Sequence, residues 1–175
     1  MKLCIFFSAL LLFYSCSEER KSDLPSSDGL PDQESWGVTI IMTHEGLIRA
    51  KVNSGHLKKF NEKEYIILDE NVVVDFFDLK ENHTSTLFSD KSEINEKSND
   101  MLAIGNVIAR SDSGITLFTE KLQWTAEDEK LFTKDSIMIT TLDNDTLYGR
   151  GFESNSDLEN WRIINPPGVT GSTYR

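Results

Sequence analysis

The sequence predicts an all-β domain of antiparallel strands built from internal repeats of about thirty residues. Three observations carry that reading. Apolar residues alternate with polar ones at a period of two, and β-branched and aromatic residues fill the alternating runs. Clusters of turn-forming residues bound the runs, and one short residue pattern returns at a fixed spacing.

The chain opens on a different note. Lys2 is followed by the mostly apolar stretch Leu3 to Tyr14, well short of the roughly 20 residues a spanning helix needs. A basic start, a short apolar centre and the small Ser15 mark residues 1–15 as a signal peptide. Leu12-Phe13-Tyr14-Ser15-Cys16 is similar to a bacterial lipobox, in which Cys16 becomes the acylated first residue of the mature chain. An ordinary signal peptide with an incidental cysteine is the alternative. One acyl chain holds a protein only weakly, at about 0.8 kcal/mol per buried methylene, whereas several chains, palmitate among them, make a stable membrane anchor. Residues 17–35 carry Gly29, Pro25, Pro31, serines and charges, too little apolar surface to fold. Residues 16–35 are therefore expected to be a lipidated N-terminus and flexible tether, reaching roughly 24 Å.

The β domain is expected over residues 36–167, with a disordered tail at 168–175. Val72, Val74 and Phe76 share one strand face, as do Leu102 and Ile104, and Ile137 and Ile139. Turns are expected at Asn61-Glu62, Glu81-Asn82, Asn99-Asp100, Asp112-Ser113-Gly114, Glu127-Asp128 and Asp143-Asn144-Asp145. Ser92 to Asn99 alone has a helix-forming composition.

Leu87-Phe88-Ser89-Asp90 returns thirty residues later as Leu117-Phe118-Thr119-Glu120, and again as Leu147-Tyr148-Gly149-Arg150. In the same register Ile94 corresponds to Trp124, Leu102 to Phe132, and Gly105-Asn106-Val107 to Asp135-Ser136-Ile137. Each unit has room for about four short strands. Stacked units share one inner apolar face, which suits a sandwich or an open, V-shaped jelly roll. A linear stack leaves its first and last strands unpaired, near Val38–Met42 and near Leu147–Glu153 or Trp161–Ile164. Val72, Val74, Phe76, Leu87, Ile94, Leu102, Ile104, Val107, Ala109, Leu117, Trp124, Leu131, Ile137, Ile139 and Leu147 are expected on the inner face. Trp124 suits a core side chain and a groove lining equally well. Gly149-Arg150-Gly151 fits either a close backbone approach or a simple bulge.

With 29 acidic and 18 basic residues the formal charge is −11, which excludes a basic nucleic-acid footprint. Both cysteines, Cys4 and Cys16, fall in the first sixteen residues, so no disulfide framework or cysteine zinc site is expected in the domain. His44, His56 and His83 stand apart in the sequence, with no metalloprotease motif, nucleophile elbow or phosphate-binding loop. Asp143-Asn144-Asp145 lacks the glycine and distant glutamate of a calcium loop. No catalytic residue, metal site or cofactor is therefore expected, and the protein is read as a non-enzyme.

Gly105-Asn106-Val107, then Gly114-Ile115-Thr116-Leu117-Phe118-Thr119-Glu120-Lys121-Leu122-Gln123-Trp124, then Tyr148-Gly149-Arg150-Gly151-Phe152-Glu153-Ser154 resemble, in that order, the LptC family of lipopolysaccharide export. The resemblance covers about residues 36–167, and Asn71 to Phe76 resembles the strand before these motifs. It implies an open, twisted, V-shaped β-jelly roll whose interior shields acyl chains. Val72, Val74, Phe76, Leu87, Leu102, Ile104, Val107, Leu117, Trp124, Ile137, Ile139 and Leu147 would then line the lipid groove. The implied partners are lipopolysaccharide, the inner-membrane ABC transporter subunits, and a downstream periplasmic bridge protein joined through edge strands. Many members keep an uncleaved transmembrane helix; here a lipobox-like cysteine stands instead, implying a periplasmic, lipid-anchored protein held at the inner membrane. The alternative is a lipoprotein with a closed β-sandwich that binds carbohydrate or protein.

The anchor is testable directly. Cys16→Ser is expected to move the domain from membranes to the soluble periplasmic fraction, assayed in a strain lacking the transporter partners. Unchanged membrane retention there would exclude lipidation at Cys16.

Overall fold

The structure, a computed structural model, describes residues 29–143 and 145–166. Nine strands follow one another: β1 (Gln33–His44), β2 (Leu47–Phe60), β3 (Tyr65–Phe77), β4 (His83–Asn95), β5 (Met101–Ser111), β6 (Thr116–Thr125), β7 (Lys130–Thr140), β8 (Thr146–Asn155) and β9 (Arg162–Asn165). Each pairs antiparallel with its sequence neighbours in a single sheet ordered β1 to β9. The first and last strands lie at opposite ends of that order, so the sheet stays open.

Alternation and turn chemistry put the strands where they are. The expected turns all separate strands, and Ser92 to Asn99 is the end of β4 and its turn rather than a helix. Asn95 shapes that turn, its Oδ1 accepting from the backbone of Lys97 and Ser98. Glu81 and Asn99 take up left-handed φ angles of 60° and 59° in two of the tight connections. β1 begins at Gln33, inside the stretch expected to be tether.

Each thirty-residue unit holds two long strands rather than four short ones. The reason is a crease that crosses the sheet at mid-strand. Phe88 pairs with Ile108 and Lys91 with Ile104, so three steps along β4 match four along β5. The same mismatch recurs between every adjacent pair from β2/β3 to β7/β8. Strands β3, β5 and β7 each carry the extra residue. Such a bulge bends its strand and sharpens its twist. On β3 the bend is made by Glu70 and Asn71, at φ 62° and 61°, and on β5 by Gly105 and Asn106, at φ 80° and 46°. Asn106 Nδ2 donates to Asp90 Oδ2 at 2.7 Å, tying the bend of β5 to β4.

The aligned bends fold one sheet into two layers that face each other across an apolar interior. Phe76, on the first half of the sheet, meets Trp124 on the second with ring centroids 5.6 Å apart. Fully buried Leu68, Leu87, Leu117, Leu131, Ile139 and Phe152 fill the space between. Leu158, from the β8–β9 turn, closes one end of this core at 0% exposure.

One expected alternation is displaced. Met101 and Ala103 point inward at 1% and 0% exposure, and Leu102 and Ile104 are half-buried on the opposite face. Ala103 and Val107, four residues apart, share the inner face across the left-handed Gly105-Asn106 bend.

Gly105 carries the bend for a stated reason. Its φ is +80°, and a Cβ there would lie 2.7 Å from Asp90 Oδ2. Gly105→Ala is expected to cost about 1–2 kcal/mol, read by urea unfolding. An unchanged midpoint would mean that the crease does not depend on this residue.

Candidate functional site

Two inner rows cross the sheet, one on each side of the crease. The first runs Ile40, Val52, Val74, Leu87, Ala109, Leu117, Ile139, Leu147, each paired with the next across the ladder from β1 to β8. The second runs Ile66, Ile94, Met101, Trp124, Leu131 from β3 to β7. In the first row the middle six are at most 1% exposed, whereas Ile40 is half-buried and Leu147 is 39% exposed. An apolar face that runs from edge to edge is therefore packed in the middle and open at both ends.

The larger opening is at the β1 end. A cavity of about 510 Å³ lies there, lined by Ile40 and Met42 from β1, Arg49 from β2, Ile66 and Ile94 from the facing layer, and Trp124 and Ala126. That volume is in the range of small-molecule sites, about 300–1,000 Å³. Of the expected lining residues Trp124 reaches this cavity, as does Ile94, expected only on the inner face. Val72, Val74, Phe76, Leu87, Val107, Leu117, Ile137 and Ile139 sit in the packed interior instead, and Leu102 and Ile104 lie on the outer face. Ile40, Met42, Ile66, Ala126 and Arg49 were not foreseen as lining. The alternation of Val38, Ile40 and Met42 was a legible signal for two of them; nothing local marks Arg49.

Arg49 joins the layers at the cavity. Its Nε and Nη2 donate to the two carboxylate oxygens of Glu129, eighty residues away in the β6–β7 turn. The Arg49 side chain is 7% exposed and that of Glu129 26%. The planar fork suits a carboxylate, and poor access of water strengthens the pair. The remaining nitrogen, Arg49 Nη1, is buried with no hydrogen-bond partner, as is Trp124 Nε1. Each buried donor left unpaired costs about 1–3 kcal/mol.

The edges frame this interior. Among the described residues β1 has one partner, β2, which pairs with one side of its backbone. At the other end β9 covers part of β8, pairing with Arg150, Phe152 and Glu153 but not with Leu147 or Tyr148. Gly149 and Gly151 allow that approach: a Cβ on either would press on Ile163 or Ile164 of β9. Arg162 Nη2 donates to Glu153 Oε2 at 2.6 Å and, with Lys130, holds that carboxyl below its usual pKa against the opposing effect of burial. On the outer face a second apolar row, Phe88, Ile108, Phe118, Met138 and Tyr148, ends at the open stretch of β8, where Tyr148 is 61% exposed.

The histidines lie apart from the cavity floor. His56 is buried under Trp36, ring centroids 5.1 Å apart, with Nδ1 2.9 Å from Asp69 Oδ1. Glu70 brings a third donor atom within 4.8 Å of these two, though Lys58 Nζ lies 3.6 Å from Asp69 Oδ2. His83 is held by Asp112 at 2.9 Å and Thr86 at 3.0 Å, and His44 is exposed at the cavity rim. Cys16 lies outside the described residues.

A nine-stranded open sheet, creased over an edge-to-edge apolar face, is an open β-jelly roll. The chain belongs to the LptC-related lipopolysaccharide-assembly family, whose model matches residues 2–170. That is a transport family rather than an enzyme family. The fold is similar to that of LptH, described as the LptA homologous periplasmic component of the lipopolysaccharide transport device from Pseudomonas aeruginosa. The two share 10% identity at a TM-score of 0.53, over 72% of this chain and 89% of that one. No curated protein matches the sequence.

The Arg49–Glu129 fork gives a test of how the layers are held. Glu129→Gln leaves the nearly buried guanidinium without its counter-charge and is expected to destabilise the domain by about 1–3 kcal/mol, short of the loss for a fully buried pair because Glu129 is partly wet. Urea unfolding reads the change; a shift below about 0.5 kcal/mol would reduce the pair to an ordinary surface bridge.

Proposed function

We propose that this protein is a bridge component of lipopolysaccharide export, which receives lipopolysaccharide from an inner-membrane ABC transporter and passes it to the next periplasmic bridge protein. The observation that carries this reading is the apolar row from Ile40 to Leu147, half-buried at Ile40 and exposed at Leu147, where it reaches the two edges of the described sheet. Acyl chains need a continuous apolar surface, and a partner strand added at β1 or beside Leu147 and Tyr148 would prolong that surface into the next molecule. Backbone N–H and C=O groups supply affinity in such β-augmentation, with little demand on side-chain identity. The outer row ending at Tyr148 adds an apolar contact on the far side of the same joint.

The middle of the interior is closed. In this reading Trp124, Ile94 and the β1 residues meet the lipid first, and Val74, Leu87, Leu117 and Ile139 meet it only when the two layers part. The family membership and the fold likeness support the transport role. The protein works in the periplasm, where acylation of Cys16 would hold it to the inner membrane and take the place of a spanning helix.

Successive N–H groups of a strand point to opposite sides, so of two adjacent residues on an edge strand one donates outward. Proline at Ile40 or at Ile41 is expected to weaken docking on the transporter side, one of the two far more than the other. Proline at Leu147 or Tyr148, or at Ile163 of β9, is expected to weaken docking of the downstream bridge protein. Pull-down from detergent extracts reads each partner, and circular dichroism checks the fold. Variants that fold normally and still bind both partners would exclude edge-to-edge joining.

A further inference from the structure

Where the crease crosses β2 and β3, one cluster gathers chemistry that the transport role leaves unused. His56 and Asp69 lie thirteen residues apart and meet through the β2–β3 ladder, Nδ1 to Oδ1 at 2.9 Å. Glu70 adds a carboxylate oxygen, and the three donor atoms lie within 4.8 Å of one another. Gly55 makes room for it: a Cβ there would stand 2.7 Å from Glu70 Cβ and 3.0 Å from its Oε2. His56 is 9% exposed, with the Trp36 ring stacked on its own. Its second nitrogen, Nε2, is buried without a hydrogen-bond partner and lies 3.7 Å from Glu34 Oε1. Three carboxylates thus surround one imidazole. Lys58 reaches Asp69 Oδ2 at 3.6 Å, while Lys91, opposite Asp69 in the ladder, turns to Glu93. One lysine against three carboxylates leaves two negative charges unbalanced.

We infer that His56, Asp69 and Glu70 bind a divalent transition-metal ion of the zinc type, which clamps β2 to the bend of β3. An imidazole ligand selects zinc over magnesium or calcium, which prefer oxygen alone, and carboxylates complete such sites. With bonds of about 2.0–2.1 Å, ligand atoms in a tetrahedral site lie about 3.4 Å apart. Glu70, exposed at the surface, supplies the remaining closure by a change of rotamer. Water takes the fourth position. The ion replaces the proton that Nδ1 shares with Asp69, which passes to solvent, and the imidazole keeps its proton on Nε2. Glu34 then accepts from Nε2 after a closure of about 1 Å, giving the metal-bound histidine the second carboxylate such ligands usually have. The unpartnered nitrogen thereby gains a role. Glu70 and Asn71 are the left-handed residues of the β3 bend, so the ion fixes the crease beside the strand that pairs with β1. The inference goes beyond the transport role and does not depend on it.

Equilibrium dialysis of the untagged full chain in detergent against zinc chloride reads the site, with Cys4→Ser and Cys16→Ser removing both thiols. One equivalent of zinc is expected to bind, about tenfold or more tightly than magnesium or calcium. Asp69→Asn and Glu70→Gln should each weaken zinc by about tenfold or more, and Glu34→Gln by about tenfold. Lys58→Met should strengthen it about fivefold, the effect of removing one unit charge about 4 Å away in water. Misfolding cannot mimic that gain. Circular dichroism checks each fold, and saturating zinc should raise the urea midpoint of the parent chain but not of Asp69→Asn. Zinc that binds Asp69→Asn and Glu70→Gln as tightly as the parent would be an adventitious ion only and would overturn the site. Absence of bound zinc at millimolar concentration, or tighter binding of calcium than of zinc, would overturn it equally.

Discussion

A sheet with one apolar face must cover that face, and here it does so by bending each of its long strands at the same level. The bends require one extra residue on β3, β5 and β7 against their neighbours, with left-handed backbone at Glu70-Asn71 and Gly105-Asn106. A sandwich of two separate sheets covers its face by passing strands between layers through loops. A barrel covers it by pairing first strand with last. A crease does neither, so the long strands contribute to both layers and, among the described residues, β1 and β8 keep unpaired backbone. The interior, the open edges and the cavity are all consequences of this one device.

How far this was legible in the sequence differs from level to level. The turns could be read because Asn, Asp and Gly relieve φ > 0 at small cost, and the strands because Val, Ile and Phe alternate there. The thirty-residue echo of Leu87, Leu117 and Leu147 was real: all three belong to one cross-strand row. Its meaning was not. The repeat reports a pair of long strands joined through a crease, and crease residues such as Glu70 carry no turn signature. The same blind spot placed Leu102 and Ile104 on the inner face in place of Met101 and Ala103.

The site was less legible than the fold because its parts are far apart in the chain. Alternation nominated residues that turned out to be packed core, since a period of two reports which face a residue is on and not whether that face is covered. Arg49 and Glu129 meet across eighty residues, and no local pattern in either segment announces the partner. Trp124 was open to two readings, core side chain or groove lining, and in the fold it packs on Phe76 and borders the cavity.

Open edges on a sheet with an apolar interior are a hazard in most proteins, because they template uncontrolled pairing. Here the hazard is limited unevenly. The second-layer half of β8 is covered by the short β9, held by Arg162 on Glu153, while among the described residues no strand covers the first-layer half at Leu147 and Tyr148. Among the described residues no strand pairs with the outer side of β1, and its inward residues Ile40 and Met42 form one wall of the cavity. A strand added to β1 would complete a wall as well as a ladder, so in the proposed role pairing and lipid access would act on the same residues. Coupling of that kind favours a partner that brings its own apolar face in register over one that offers backbone alone. The exposed end of the inner row at Leu147 sets the same demand at the opposite edge.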